Sequence, residues 1–157
     1  MSCKQHHQAC KSCPFSRTCE PGALGGSPLN TYLGQIVGPF HLPCHSAGNY
    51  KGNDTPCTNE HAQCSGAAIF RRNIGVDVLM PDPLLKLQTE DENVFSSLEE
   101  FITHHAPYAS AQTVADLLHM TKNGFFLSLE MSKAAAKGRV QTGKDAVQQF
   151  DQQGGNQ

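Results

Sequence analysis

Apolar positions are spaced differently in the two halves of this chain. Before position 65 they show no long period, and glycine- and proline-rich stretches such as "EPGALGGSP" and "GNYKGNDTP" separate them. A segment of that kind cannot build a large core from its own side chains and calls for a staple, either metal or disulfide. From Ser65 the pattern changes. "SGAAIFRRN" has helical composition, with Gly75 placed to stop it. Ile74, Val76, Val78 and Met80 alternate in "IGVDVLM" and predict a short strand or extended connection, broken by Pro81 and Pro83.

Beyond the prolines, "NVFSSLEEFITHHAP" predicts a helix. Ser96 with Glu99, or Ser97 with Glu100, fits a capping box, and Phe95, Leu98, Phe101 and Ile102 fall on one face. Pro107 follows its expected end. Another helix is expected from about Ser110, with Val114, Leu117 and Leu118 inward and Asn123-Gly124 interrupting it. "FFLSLEMSKAAAKG" predicts one more, ending near Gly138 with basic residues toward its C-terminus, as the helix dipole favours. The tail "QQFDQQGGNQ" is polar and expected to be mobile. The fold class is therefore mainly α with a loop-rich, metal-stapled N-terminal half, a small irregular α(+β) domain. Its expected parts are a cysteine-rich region at 1–80, a helical region packed on it at 81–140, and a tail at 141–157.

Composition narrows the function classes. At 157 residues the chain has the length of one domain, and its net charge of −2 does not announce a nucleic-acid partner. Charge is nonetheless uneven. Glu90, Asp91, Glu92, Glu99 and Glu100 form an acidic run, and Lys122, Lys133, Lys137, Arg139 and Lys144 a basic segment broken mainly by Glu130. No window approaches a membrane helix, and the start "MSCKQHHQAC" lacks the apolar core of a secretory signal. The expected location is a cytoplasm, where thiols stay reduced.

All seven cysteines precede residue 65: Cys3, Cys10, Cys13, Cys19, Cys44, Cys57 and Cys64. The odd number leaves a thiol over in any full disulfide pairing. Cys10 and Cys13 form a C-x-x-C pair, which puts two thiolates on one tight turn within reach of one metal centre. Cys64 stands at a predicted helix start, where the dipole favours a thiolate. The most economical ligand set is Cys10, Cys13, Cys44 and Cys64. One close pair with two distant singles suits a [4Fe–4S] cluster somewhat better than zinc, whose structural sites more often use two close pairs.

The pattern C-x-x-C-P-F, then P-C-H, then C-x-G-A at a helix start, then "VFSSLEEFITHH" resembles a family of small uncharacterised bacterial and bacteriophage proteins. The matching residues are Cys10, Cys13, Pro14 and Phe15, then Cys44 and His45, then Cys64 and Gly66. The resemblance covers roughly residues 10 to 105. It implies a metal or cluster site and a phage or bacterial origin, with a host-cell cytoplasm or a virion as the location, and it implies no reaction. Two departures stand out. Arg commonly follows the aromatic residue in that pattern, whereas here Ser16 does and Arg17 comes one later, and Cys3, Cys19 and Cys57 fall outside it.

Other residues offer further chemistry beside plainer readings. His45, Cys57 and Cys19 are the second choice of ligands. Cys19 and Cys57 are either alternative ligands, part of a second site, or small loop residues. His45 adjoins Cys44, and a histidine beside a ligand more often hydrogen-bonds behind it than binds the metal. His104 and His105 read as the end of a helix. Arg71 and Arg72 could approach phosphates, or simply coat a solvated helix face. A thioredoxin-like use of Cys10 and Cys13 needs a strand before and a helix after the motif, and neither is visible. The functional expectation is a small metal-binding protein that acts by binding rather than turnover. It would be a regulatory or nucleic-acid module, a phage structural or host-interaction protein with a zinc staple, or an iron–sulfur redox protein. No catalytic residue and no membrane partner is expected.

Overall fold

The computed structural model describes residues 8–38, 42–44, 64–76 and 91–153, with α4 side chains through Ala135 and at Lys137. Four helices occur among the described residues, and no strand beyond single bridges: α1 (Leu29–Val37), α2 (Ser65–Asn73), α3 (Leu98–His105) and α4 (Ala111–Gln153). α1 packs on α2 and α4, and α3 packs on α4. No described helix is long and apolar enough to cross a membrane. The mainly helical expectation holds. Residues 77–80, which carry most of the expected strand, lie outside the described residues.

The centre of the fold is aromatic. Phe15 sits 5.8 Å from Tyr32, 5.5 Å from Phe70 and 5.7 Å from Phe101, ring centre to ring centre. Phe101 also meets Phe70 at 5.1 Å and the edge of Phe95 at 5.6 Å. Such pairs add to the large apolar area each ring removes from water. Leu33, Ile36, Val94 and Ile102 fill the remainder. The segment that carries Phe15 is fixed by backbone pairing. Phe95 N–H donates to the Phe15 carbonyl at 3.1 Å and Arg17 N–H to the Asn93 carbonyl at 2.7 Å, around an antiparallel bridge between Ser16 and Val94.

The first half contributes more to this core than its pattern suggested. α1 buries Tyr32, Leu33, Ile36 and Val37, and Cys13, Phe15 and Leu24 join them. α1 has no side-chain cap and carries Gly34 within nine residues, so its intrinsic helical tendency is weak. Tertiary contact forms it. Arg71 closes its far end: the guanidinium is buried and donates to the carbonyls of Ile36 at 2.9 Å and Gln35 at 3.0 Å. These are carbonyls that a helix end leaves without partners, and a cation there suits the dipole.

α2 ends as expected. Gly75 takes a positive φ of 75°, its N–H donates to Arg72 O and the Val76 N–H to Arg71 O, which is a Schellman closure. α3 starts at Ser97, whose hydroxyl accepts from Glu100 N–H at 3.1 Å. The Glu100 carboxylate returns the bond one residue early, to Ser96 N–H at 2.9 Å. Asn123-Gly124 does not interrupt α4, and Gly138 does not end it. Phe125, Leu117 and Leu118 pack against the core on either side of the Asn-Gly pair. Asn123 donates along the helix to His119 Nε2 at 3.0 Å instead of bending the chain. That packing outweighs the roughly 1 kcal/mol a helical glycine costs.

Arg17 clamps the start of α3, donating to both Glu100 oxygens, to Oε2 at 2.9 Å. The guanidinium holds the Glu100 carboxyl down at about 2. A carboxyl lowered on folding contributes stability that is full above its unfolded value of 4.5 and is lost as pH falls toward 2. Glu100→Gln is therefore expected to flatten the acid limb of a Tm-against-pH curve between about 4.5 and 2, with a change of about 0.2–1 kcal/mol at neutral pH, as for other exposed ion pairs. An unchanged acid limb would show that the pair carries no linkage.

Candidate metal centre

The stretch Cys10–Cys13 is a tight turn, closed by Cys13 N–H donating to Cys10 O at 2.9 Å. A second turn follows at once, from Ser16 N–H to Cys13 O at 2.9 Å. The first turn points the Cys13 sulfur at the N-terminus of α2. There it meets the Cys64 sulfur at 3.4 Å, across 51 residues of sequence, with both side chains buried. Gly66 makes the approach possible, since a methyl group there would overlap the Cys13 sulfur. The glycine of the C-x-G-A pattern thus has a steric reason.

Among the expected ligands Cys13 is the link, meeting Cys64 and, through a thiol hydrogen bond, Cys10; the sulfurs of Cys10, Cys13, Cys44 and Cys64 do not gather as a group of three within 4.8 Å. Hydrogen bonding from Cys10 and Cys64, with burial added, pushes the Cys13 thiol up. The hydrogen bond from Cys13 lowers Cys64. No side-chain bond caps α2 in the strict sense, yet the first-turn amides of Ala67 and Gly66 also favour the Cys64 thiolate. The hydrogen bond thus favours the thiol form at Cys13 and the thiolate form at Cys64. Cys44, the fourth, is buried in the same core cluster. Its segment is drawn to α2 by Cys64 N–H, which donates to Leu42 O at 2.9 Å. None of the five described cysteines is in a disulfide. Cys3, His45 and Cys57 lie outside the described residues.

Cys19 takes no part in this sulfur group. It faces the other way, toward the last turn of α3. Its sulfur lies 3.5 Å from His104 Nε2 and 3.9 Å from His105 Nε2. The three ligand atoms lie within 4.8 Å of one another, so this Cys/His group could hold a metal ion. The residues are tied by backbone contacts as well. His105 Nε2–H donates to Pro14 O at 2.8 Å, and Gly22 N–H donates to His105 Nδ1 at 3.1 Å. His104 Nε2 pairs with Cys19 O at 3.0 Å. Burial raises the Cys19 thiol and lowers His105, in each case favouring the neutral form. The pairing of the two histidines with Cys19 left no mark in the sequence, because 85 residues separate Cys19 from His104. The His-His doublet was the only sign, and a helix end accounts for it equally well.

The two arginines part company. Arg72 is exposed. Arg71 is buried under α1, with its charge committed to carbonyls, so it lies beneath the surface that a phosphate contact requires. Comparisons with family models, with curated proteins and with solved structures give no match.

Two substitutions test this packing. Gly66→Ala must displace the Cys13 sulfur and is expected to cost about 1–3 kcal/mol, as overpacked cores do. Gly34→Ala, where an added methyl meets nothing within 4 Å, should leave Tm unchanged or raise it. Equal melting temperatures for the two variants would contradict the contact. Arg71→Ala leaves buried carbonyls of α1 without a donor and is expected to cost about 1–3 kcal/mol. Hydrogen exchange should speed up in α1 more than in α3; exchange that rises evenly across the helices would count against the capping role.

Proposed function

We propose that this chain is a zinc-stapled binding protein in which Cys10, Cys13, Cys44 and Cys64 hold the ion and the helices make the contacts. The observation that carries the reading is the 3.4 Å separation of the Cys13 and Cys64 sulfurs. Two thiolates on one tetrahedral zinc ion, with Zn–S about 2.3 Å, stand about 3.8 Å apart. In a [4Fe–4S] cluster each of the four thiolates binds its own iron, and the width of the cluster keeps the sulfurs farther apart. The spacing along the chain leaned toward the cluster; the spacing in space favours one shared ion. Zinc has no redox chemistry of its own, and a closed set of four thiolates leaves it no open position, so its work here is structural.

The binding part rests on α4. Met120, Phe126, Leu127 and Met131 stand exposed along it, which favours protein over nucleic acid as the partner class. A host-interaction or structural role in a phage or bacterial setting fits both this surface and the cysteine pattern.

The test is metal analysis with an absorption spectrum, on protein purified without oxygen. Colourless protein is expected, with Cys13→Ser and Cys64→Ser each losing one zinc equivalent and unfolding at lower temperature, because metal-binding free energy in such sites is folding free energy. Brown protein with about four irons, or a zinc content in both variants equal to that of the wild type, would overturn the reading.

A further inference from the structure

We infer that Cys19, His104 and His105 form a second divalent-metal site, with three protein ligands and a fourth position open to solvent. The proposal rests on residues separate from the sulfur centre above and stands or falls independently of it. A tetrahedral zinc ion with Zn–S about 2.3 Å and Zn–N about 2.0–2.1 Å puts sulfur and nitrogen about 3.6 Å apart. The Cys19 sulfur lies 3.5 and 3.9 Å from the two Nε2 atoms. One thiolate and two imidazoles are a borderline-soft set that suits zinc or cobalt and disfavours calcium or magnesium.

Each ligand is also placed on firm ground. Cys19 ends a turn closed by its own N–H on Ser16 O at 3.1 Å. The two histidines occupy the last turn of α3, and Phe101 on the same helix lies against the His105 ring at 4.5 Å. Cys19 and His105 are buried, whereas His104 is half-buried and lines a cleft of about 590 Å³ shared with Arg17, Ser97, Glu100 and Thr103. Of the three ligands His104 is the one that reaches that cleft, and the open fourth position is assigned to its side. Three protein ligands with a solvent-facing fourth position is the arrangement in which a metal can polarise water.

Binding has a defined proton balance and transfers no electron. The Cys19 thiol proton leaves to solvent as the sulfur becomes a ligand. Each histidine remains neutral, and its ring proton passes from Nε2 to Nδ1, so the Nε2 bonds to Pro14 O and Cys19 O are exchanged for the metal. At His105 that proton would then confront the Gly22 N–H, so the 3.1 Å bond from Gly22 must be given up. Gly22 sits at a φ of 78°, within a glycine-rich turn whose backbone can turn this amide aside. Its amide is accordingly a reporter of occupancy that a purely structural thiol–imidazole contact would not move.

The experiment titrates the full chain, stripped of metal and held under reducing conditions, with Co²⁺ for stoichiometry and with Zn²⁺ for amide NMR. The wild type should take up about two equivalents, one per tetrahedral site. Cys19→Ser and His104→Ala should each take one fewer while keeping the wild-type circular dichroism. His104 is half-exposed, so its removal spares the core. The Gly22 amide should shift as zinc fills the wild type and stay put in both variants. Equal uptake by wild type and both variants, or a Gly22 amide indifferent to filling, overturns the proposal. Uptake of a single ion that Cys13→Ser abolishes and His104→Ala spares also overturns it, and leaves the sulfur centre standing. The reverse pattern supports this site and removes the other.

Discussion

The ten residues Cys10 to Cys19 are wedged between two helix ends, and the rest of the fold is arranged around that wedge. On one side Cys13 presses on the first turn of α2, sulfur to sulfur with Cys64 and over the bare backbone of Gly66. On the other, the Pro14 carbonyl and Cys19 meet the last turn of α3 through His105. Phe15 lies between and fills the centre, touching rings from α1, α2 and α3. A stretch with three thiols and a proline has little regular structure of its own. Here it supplies the surface against which three helices find their positions.

The helix ends were legible in the sequence where their signals are local. Gly75 closes α2 through bonds to the residues just before it, and Ser97 caps α3 three residues from its partner. These are short-range devices, and a sequence displays them side by side. The glycine two places after Cys64 was legible as a pattern, but its reason was not, since that reason is the Cys13 sulfur pressing on it from 53 positions upstream.

What stayed hidden depends on distant partners. α1 has neither a cap nor a strong helical composition, and it forms because Tyr32, Leu33, Ile36 and Val37 find a core to enter. Gly124 remains helical for a related reason, with Phe125 and Leu117 packed on either side. Arg71 reads as a surface cation until the C-terminal end of α1 is brought over it. His104 and His105 read as a helix terminus because Cys19 is far away along the chain. In each case a local preference is outweighed by tertiary contact.

The bonds that pin the wedge join positions far apart in the chain: Ala9 to Asp91 across 82 residues and Arg17 to Glu100 across 83. Loops of that size close late, and a core held by them forms slowly. During synthesis the thiol-bearing segment emerges early, while the bridge residue Val94 and the helix α3 that cover it follow roughly 4–16 s later at 5–20 residues per second. For that interval Cys10, Cys13 and Cys19 stand uncovered on a nascent chain. The order in which they meet metal, oxidant or their final neighbours is set by chain connectivity, before the finished packing has any influence.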